Sequence, residues 1–151
     1  MVLDMETIKN YSNLIKLEHT LFSLPIILAG AFLGAGGIPS LNILFLIILA
    51  GTGARTSALA INRILDRKID VLNPRTKTRE LPSGKVSLNG AILITVAGLI
   101  IYFLSAYKIC QLVLLLSPIP LVVFLIYPIM KRFTPLCHLG VGLGLALAPL
   151  G

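Results

Sequence analysis

The chain has 151 residues, a net charge of +7 and a mean hydropathy of +0.95, with 56% hydrophobic and only 13% charged residues. That much apolar surface cannot face water, which excludes an ordinary soluble domain and points to a polytopic membrane protein. The basic residues cluster between apolar runs, a pattern of membrane topology that argues against nucleic acid as a partner.

The first twenty residues mix polar and apolar types and carry Asp4, Glu6 and Glu18, so no cleavable leader is expected there. Residues 5–19 read as an interfacial helix. Ile8, Tyr11, Leu14, Ile15 and Leu17 form an apolar stripe between Lys9, Asn10, Asn13 and Lys16. Glu18 and His19 sit where this helix enters the bilayer and read as an interfacial pair. A first span follows from about Thr20 to Ala35, with a kink expected at Pro25 and a break at Gly36-Gly37-Ile38-Pro39. Ser40 is a good N-cap for a second helix from Leu41 to about Asp70. Some ~30 residues at ~1.5 Å each give ~45 Å, more than the ~30 Å hydrocarbon core, so the last turns must protrude.

A polar loop spans Val71 to Val86, and Ser87 caps a third span from Leu88 to about Tyr107. Lys108 to Gln111 form a tight turn. The fourth span, Leu112 to about Met130, contains Pro118, Pro120 and Pro128. Lys131 and Arg132 lead back, and Pro135 starts a fifth helix at the favoured N1 position. All of the 13 Lys and Arg residues except Lys108 and Arg55 fall on one side of this layout. The positive-inside rule makes that side cytoplasmic, and with it the N-terminus and the 62–87 segment. Cys110 and Cys137 then lie at opposite faces, and no disulfide between them is expected. From Pro135 to Gly151 the fifth helix covers ~25 Å, short of a crossing. The expected architecture is an all-α transmembrane bundle of four full spans plus a truncated fifth, the front portion of a longer protein.

Asn62, Asp66 and Asp70 carry the most information. Spacing of four places them on one helical face, roughly 40° apart in turn. Two carboxylates at i and i+4 repel each other, and a helix C-terminus disfavours negative charge. A cation resolves the conflict, and oxygen-only ligands suit magnesium, which takes one or two carboxylates plus substrate phosphates. The plain alternative is a solvated helix end with local pairs such as Asp66 or Asp70 with Arg67. Arg55 lies seven residues before Asn62, about 20° away on the same face. An intramembrane arginine is costly and faces a cavity or a partner.

Arg75, Lys77 and Arg79 alternate with Thr76 and Thr78 in the loop, and arginine forks match phosphate geometry. They serve equally as positive-inside charge against anionic lipid. Tyr127 and Lys131 share a face at the end of the fourth span, fit either for holding phosphate or for interfacial anchoring.

Four stretches together resemble the UbiA-type intramembrane aromatic prenyltransferases, most closely the 4-hydroxybenzoate polyprenyltransferase-like members of quinone biosynthesis. They are Lys16 through Pro25, Asn62 through Asp70, Asn73 through Arg79 with Leu81-Pro82-Ser83-Gly84, and Tyr127 through Arg132. Their order and spacing carry the resemblance over essentially the whole chain. It implies a nine-helix bundle, represented here by four helices and a fraction. Glu80 stands where the family commonly has Pro, and the family's second aspartate-rich motif does not occur in these 151 residues.

The resemblance implies Mg2+ held by Asn62, Asp66 and Asp70, the last acting directly or through water. Asp66, Lys131 and Tyr127 are the implied catalytic residues. Lys131, Tyr127, Arg75, Lys77 and Arg79 are implied to hold a polyprenyl diphosphate, and Arg55 to bind it or an aromatic acid. The bilayer would keep the polyprenyl tail, and a complementing C-terminal polypeptide would supply the rest of the site. These residues alone are expected to be inactive. Two other readings remain. A CDP-alcohol phosphotransferase shares the Asp-x-x-x-Asp spacing, but its register after Ala54-Arg55 reaches Ile64 instead of Gly. A transporter or channel fragment would line an ion path with Arg55 and Asp66, yet has no need of the loop or of Tyr127 to Lys131.

Overall fold

The computed structural model describes residues 4–130 together with Phe133, Leu139 and Gly142. Six helices follow one another, and no strand occurs among the described residues: α1 (Met5–Ile15), α2 (Leu17–Ala35), α3 (Leu41–Leu72), α4 (Leu88–Ile109), α5 (Gln111–Leu116) and α6 (Pro118–Met130). Three segments are long and apolar enough to cross a membrane: α3, α4, and Gln111–Met130, which joins α5 and α6. In α2 the apolar stretch Ser23–Ala35 is shorter.

The helix ends follow the sequence chemistry. Ser40 accepts from the Ile43 N–H at 3.4 Å and Ser87 from the Gly90 N–H at 3.1 Å, each satisfying one orphan donor. Gly36 ends α2 in the left-handed conformation (φ 60°), with the Gly36 and Gly37 N–H groups donating to Leu33 and Phe32 carbonyls.

Two expected helices are instead interrupted. The interfacial helix does not run unbroken over 5–19. Lys16 takes φ 49°, ends α1 and opens α2. A non-glycine residue there costs on the order of 1 kcal/mol, and no local sequence signal announces it. The fourth span breaks at Ser117, where Pro118 and Pro120 remove two helix donors. Tyr102 on α4 donates its hydroxyl to the Ser117 carbonyl at 2.9 Å, satisfying part of that break.

Central to the bundle is α3, which packs against α1, α2, α4 and α6. It runs antiparallel to α4, since Gly53 meets Gly98 and Tyr102 while Ser57, one turn on, donates to Thr95 O at 3.3 Å. Small residues make the crossing close. A Cβ on Gly53 would lie 2.7 Å from Gly98 O, and a Cβ on Gly98 would lie 2.5 Å from Ser57 Oγ. Without water-driven collapse inside lipid, such small-residue contact is how helices associate. Leu93, Val96, Ile100 and Leu104 on α4 remain exposed, as suits a lipid-facing surface.

A second, smaller core lies at one end of the α3–α4 pair. Leu14, Val86 and Ala91 are buried there, with Tyr11, Ile64 and Leu81 against them. It fastens α1 and the α3–α4 loop to the bundle. The loop is a run of hydrogen-bonded turns. Asn73 Oδ1 accepts from the Arg75 N–H, Arg79 N–H donates to Thr76 O, Ser83 N–H to Arg79 O, and Val86 N–H to Glu80 O. Gly84 supplies the left-handed residue (φ 76°) that the last turn requires.

Candidate functional site

Residues 55–63 of α3, the α1–α2 junction and the loop line an open cavity of about 210 Å³. Its walls are Lys16, Arg55, Leu59, Asn62, Arg63 and Arg79. Four cations and an amide border one small space, a charge balance that favours an anion there.

Each wall residue is placed by its element. Arg55 and Asn62 lie on one face of α3, two helical turns apart, as the seven-residue spacing predicts. Arg55 Nε is buried and has no hydrogen-bond partner. Arg63 is buried on α3 together with Asp66 and Asp70, at 8%, 4% and 6% exposure. Such charges are retained only where they are paired or bind something. Arg63 lies in the field of Arg79, which repels it, and of Glu80, Asp70 and Asp66, which attract it.

Of the three loop cations expected to meet phosphate, only Arg79 lines the cavity; Arg75 and Lys77 are exposed. Arg79 reaches the wall through Asp70. Its Nη1 donates to Asp70 Oδ1 and Oδ2, both at 2.9 Å. Asp70 therefore pairs with Arg79, nine residues on, and not with the local Arg67 of the plain alternative. Thr76 Oγ1 donates to the Asp70 carbonyl at 3.0 Å, so the loop is tied to the helix end twice.

A smaller cavity of about 120 Å³ adjoins Lys16 and is lined by Ser12, Asn13, Glu18 and Glu80 as well. Glu18 and Glu80 thus share one space. The Tyr127 backbone lies in the last turn of α6, which packs on α3. The Tyr127 side chain, Lys131, Cys137 and the fifth helix from Pro135 lie outside the described residues, as does the His19 side chain. Cys110 is exposed at the α4–α5 turn.

Two charged wall residues, Lys16 and Arg63, are not marked as site residues by the sequence pattern. On a continuous helix Lys16 belongs to the polar face, and only the break at that residue brings it to the cavity. Arg63 counted as topological charge, although it lies three residues before Asp66 and so on the same face, a spacing that marks it.

The fold and the cavity define a helical bundle with membrane-spanning segments and a cluster of cations around one open cavity. The model of the UbiA prenyltransferase family matches residues 23–151, and the chain belongs to that family. It is 33% identical over 147 residues to a 4-hydroxybenzoate octaprenyltransferase of Marinomonas sp. (strain MWYL1), covering 95% of this chain and 52% of that protein. It is 38% identical over 141 residues to a protein of the same name from Haemophilus ducreyi, covering 92% and 48%.

Among solved structures, the apo UbiA homolog from Aeropyrum pernix K1 superposes with a TM-score of 0.82 at 43% identity, over 87% of this chain and 48% of that one. A digeranylgeranylglyceryl phosphate synthase structure shares the fold, with a TM-score of 0.88 at 22% identity over 97% and 52%. The chain spans about half the length of the curated relatives it matches.

Proposed function

We propose that this chain carries the diphosphate-binding half of a membrane prenyltransferase that moves a polyprenyl group from its diphosphate to an aromatic acid such as 4-hydroxybenzoate. The cavity lined by Lys16, Arg55, Asn62, Arg63 and Arg79 is the observation that carries this reading. Four cations offset the charge of a bound diphosphate and of the diphosphate released when the allylic C–O bond breaks with its electron pair. The ring carbon of the acceptor then bonds to the allylic cation and gives up its proton. Arg55, farther than Arg63 from the loop end of α3 and with an unpartnered Nε, suits the acceptor's carboxylate or the diphosphate. The polyprenyl tail stays in lipid beside the apolar faces of the bundle. Tyr127 and Lys131 are proposed to reach the diphosphate from the end of α6.

The donor set fits a divalent cation only in part. Asn62 and Asp66 offer oxygens one turn apart, and no group of three or more acidic, His or Cys residues assembles among the described residues. Such a pair of oxygens suits magnesium, which is held by few protein oxygens and completed by substrate phosphates. When bound, it supplies Lewis-acid stabilisation of the leaving diphosphate. Asn62 and Asp66 would hold it.

The half-length match to the relatives supports a need for a complementing C-terminal polypeptide, and the charge asymmetry supports a cytoplasmic N-terminus and 62–87 segment. The test is prenyl transfer from geranylgeranyl diphosphate to 4-hydroxybenzoate in membranes. The chain is assayed alone, and together with the C-terminal half of the Aeropyrum pernix homolog. Transfer only in the second case, abolished by Asp66→Ala, is expected. Transfer by the purified chain alone overturns the incompleteness, and transfer that survives Asp66→Ala overturns the site.

A further inference from the structure

We infer that Asp70 is a positioning residue whose carboxylate holds Arg79 at the cavity wall, so that the arginine's remaining donors meet the diphosphate. The inference rests on the diphosphate reading above and assigns Asp70 a role other than direct metal ligation.

Three observations carry it. First, one Arg79 nitrogen, Nη1, serves both Asp70 oxygens at 2.9 Å. The Nη2 and Nε donors of the guanidinium are not engaged by Asp70, and the fork is rigid and planar. Second, Arg79 shares the wall with Lys16, Arg55 and Arg63, and Arg63 repels it. A partly exposed cation without a counter-charge would leave such company for water. The nearly buried Asp70 is the charge that keeps it there, and the Arg79 side chain is only 36% exposed. Third, the loop backbone is built around this contact. Thr76 bonds the Asp70 carbonyl, Arg79 N–H bonds Thr76 O, and Ser83 N–H bonds Arg79 O. A divalent cation on the same two oxygens would sit against the guanidinium, whereas Asn62 lines the cavity without that conflict.

A double-mutant cycle tests this on the whole 151-residue chain in lipid nanodiscs, with magnesium pyrophosphate as the probe in isothermal titration calorimetry. Asp70→Asn is expected to weaken binding about tenfold, the scale of one charged hydrogen bond. In an Arg79→Gln background the same change is expected to cost less than about twofold, because the residue it positions is gone. A purely structural role would lower the fraction of binding-competent chain, read as the stoichiometry, and leave the affinity of that fraction unchanged. If Asp70→Asn weakens binding equally in both backgrounds, Asp70 acts directly and the inference is overturned. Wild-type affinity in Arg79→Gln, a partly exposed position whose loss leaves α3 intact, overturns it even if Asp70→Asn does not fold. Failure of the wild-type chain to bind magnesium pyrophosphate overturns the diphosphate reading and this inference with it. Binding by wild type with no loss in Asp70→Asn overturns this inference alone.

Discussion

Gly53→Ala tests the crossing on which the site is built. A Cβ there would stand 2.7 Å from Gly98 O and 2.9 Å from Tyr102 N, both backbone atoms that cannot swing aside. Reaching the 3.4 Å of ordinary contact requires α3 and α4 to part by about 0.7 Å. The Ser57 to Thr95 hydrogen bond, already at 3.3 Å one turn away, would not survive that separation. Overpacking of this kind costs ~1–3 kcal/mol, and the lost bond adds about 0.5–1 kcal/mol. The better helix propensity of Ala returns just under 1 kcal/mol. The net expectation is a loss of about 1–3 kcal/mol, read from SDS-titration unfolding in mixed micelles. Gly34→Ala in α2, with nothing within 4 Å, is the control and should be neutral or slightly stabilising. Gly53→Ala as stable as Gly34→Ala would refute the close crossing.

Gly90→Ala would place a methyl group on the Tyr11 hydroxyl, so Tyr11 must leave the small core and α1 should loosen. Tryptic cleavage after Lys9 and Lys16 should accelerate several-fold, with the cleavage pattern within α4 unchanged. Arg55→Met removes a buried, unpartnered nitrogen and should raise stability by about 1 kcal/mol while weakening binding of 4-hydroxybenzoate or pyrophosphate. Reduced stability with full binding would contradict its place in the site. Arg79→Gln should weaken pyrophosphate binding about tenfold more than Lys77→Gln, because only Arg79 lines the cavity. Equal losses in calorimetry would return the loop to diffuse attraction.

The long apolar runs made α3 and α4 legible in the sequence, and Ser40 and Ser87 capped them where hydroxyl chemistry places a cap. The break at Ser117 had its signal in Pro118 and Pro120, yet the apolar run around it read as one span. Lys16 had no such signal, because a lysine in the left-handed region is imposed by the packing of α1 and not by its own preference. The same gap hid part of the site. Helical periodicity aligned Arg55 with Asn62 and Asp66. It could not show which loop cation returns to α3, since the Asp70–Arg79 pair depends on how the turns of the loop fold in space. Periodicity grouped Asp70 with Asn62 and Asp66 on one face, and the fold adds to that face the pairing of Asp70 with Arg79.

In the proposed function Asn62 and Asp66 on α3 hold a divalent cation against the diphosphate. The most direct measurement is calorimetric titration of geranylgeranyl thiodiphosphate, a slowly reacting analogue, into the chain in nanodiscs with and without magnesium. Wild type should bind at least about tenfold more tightly with magnesium than with EDTA, and Asp66→Ala should bind equally weakly in both. Binding that is indifferent to magnesium in wild type, or that keeps its magnesium dependence in Asp66→Ala, would remove Asp66 from the cation site.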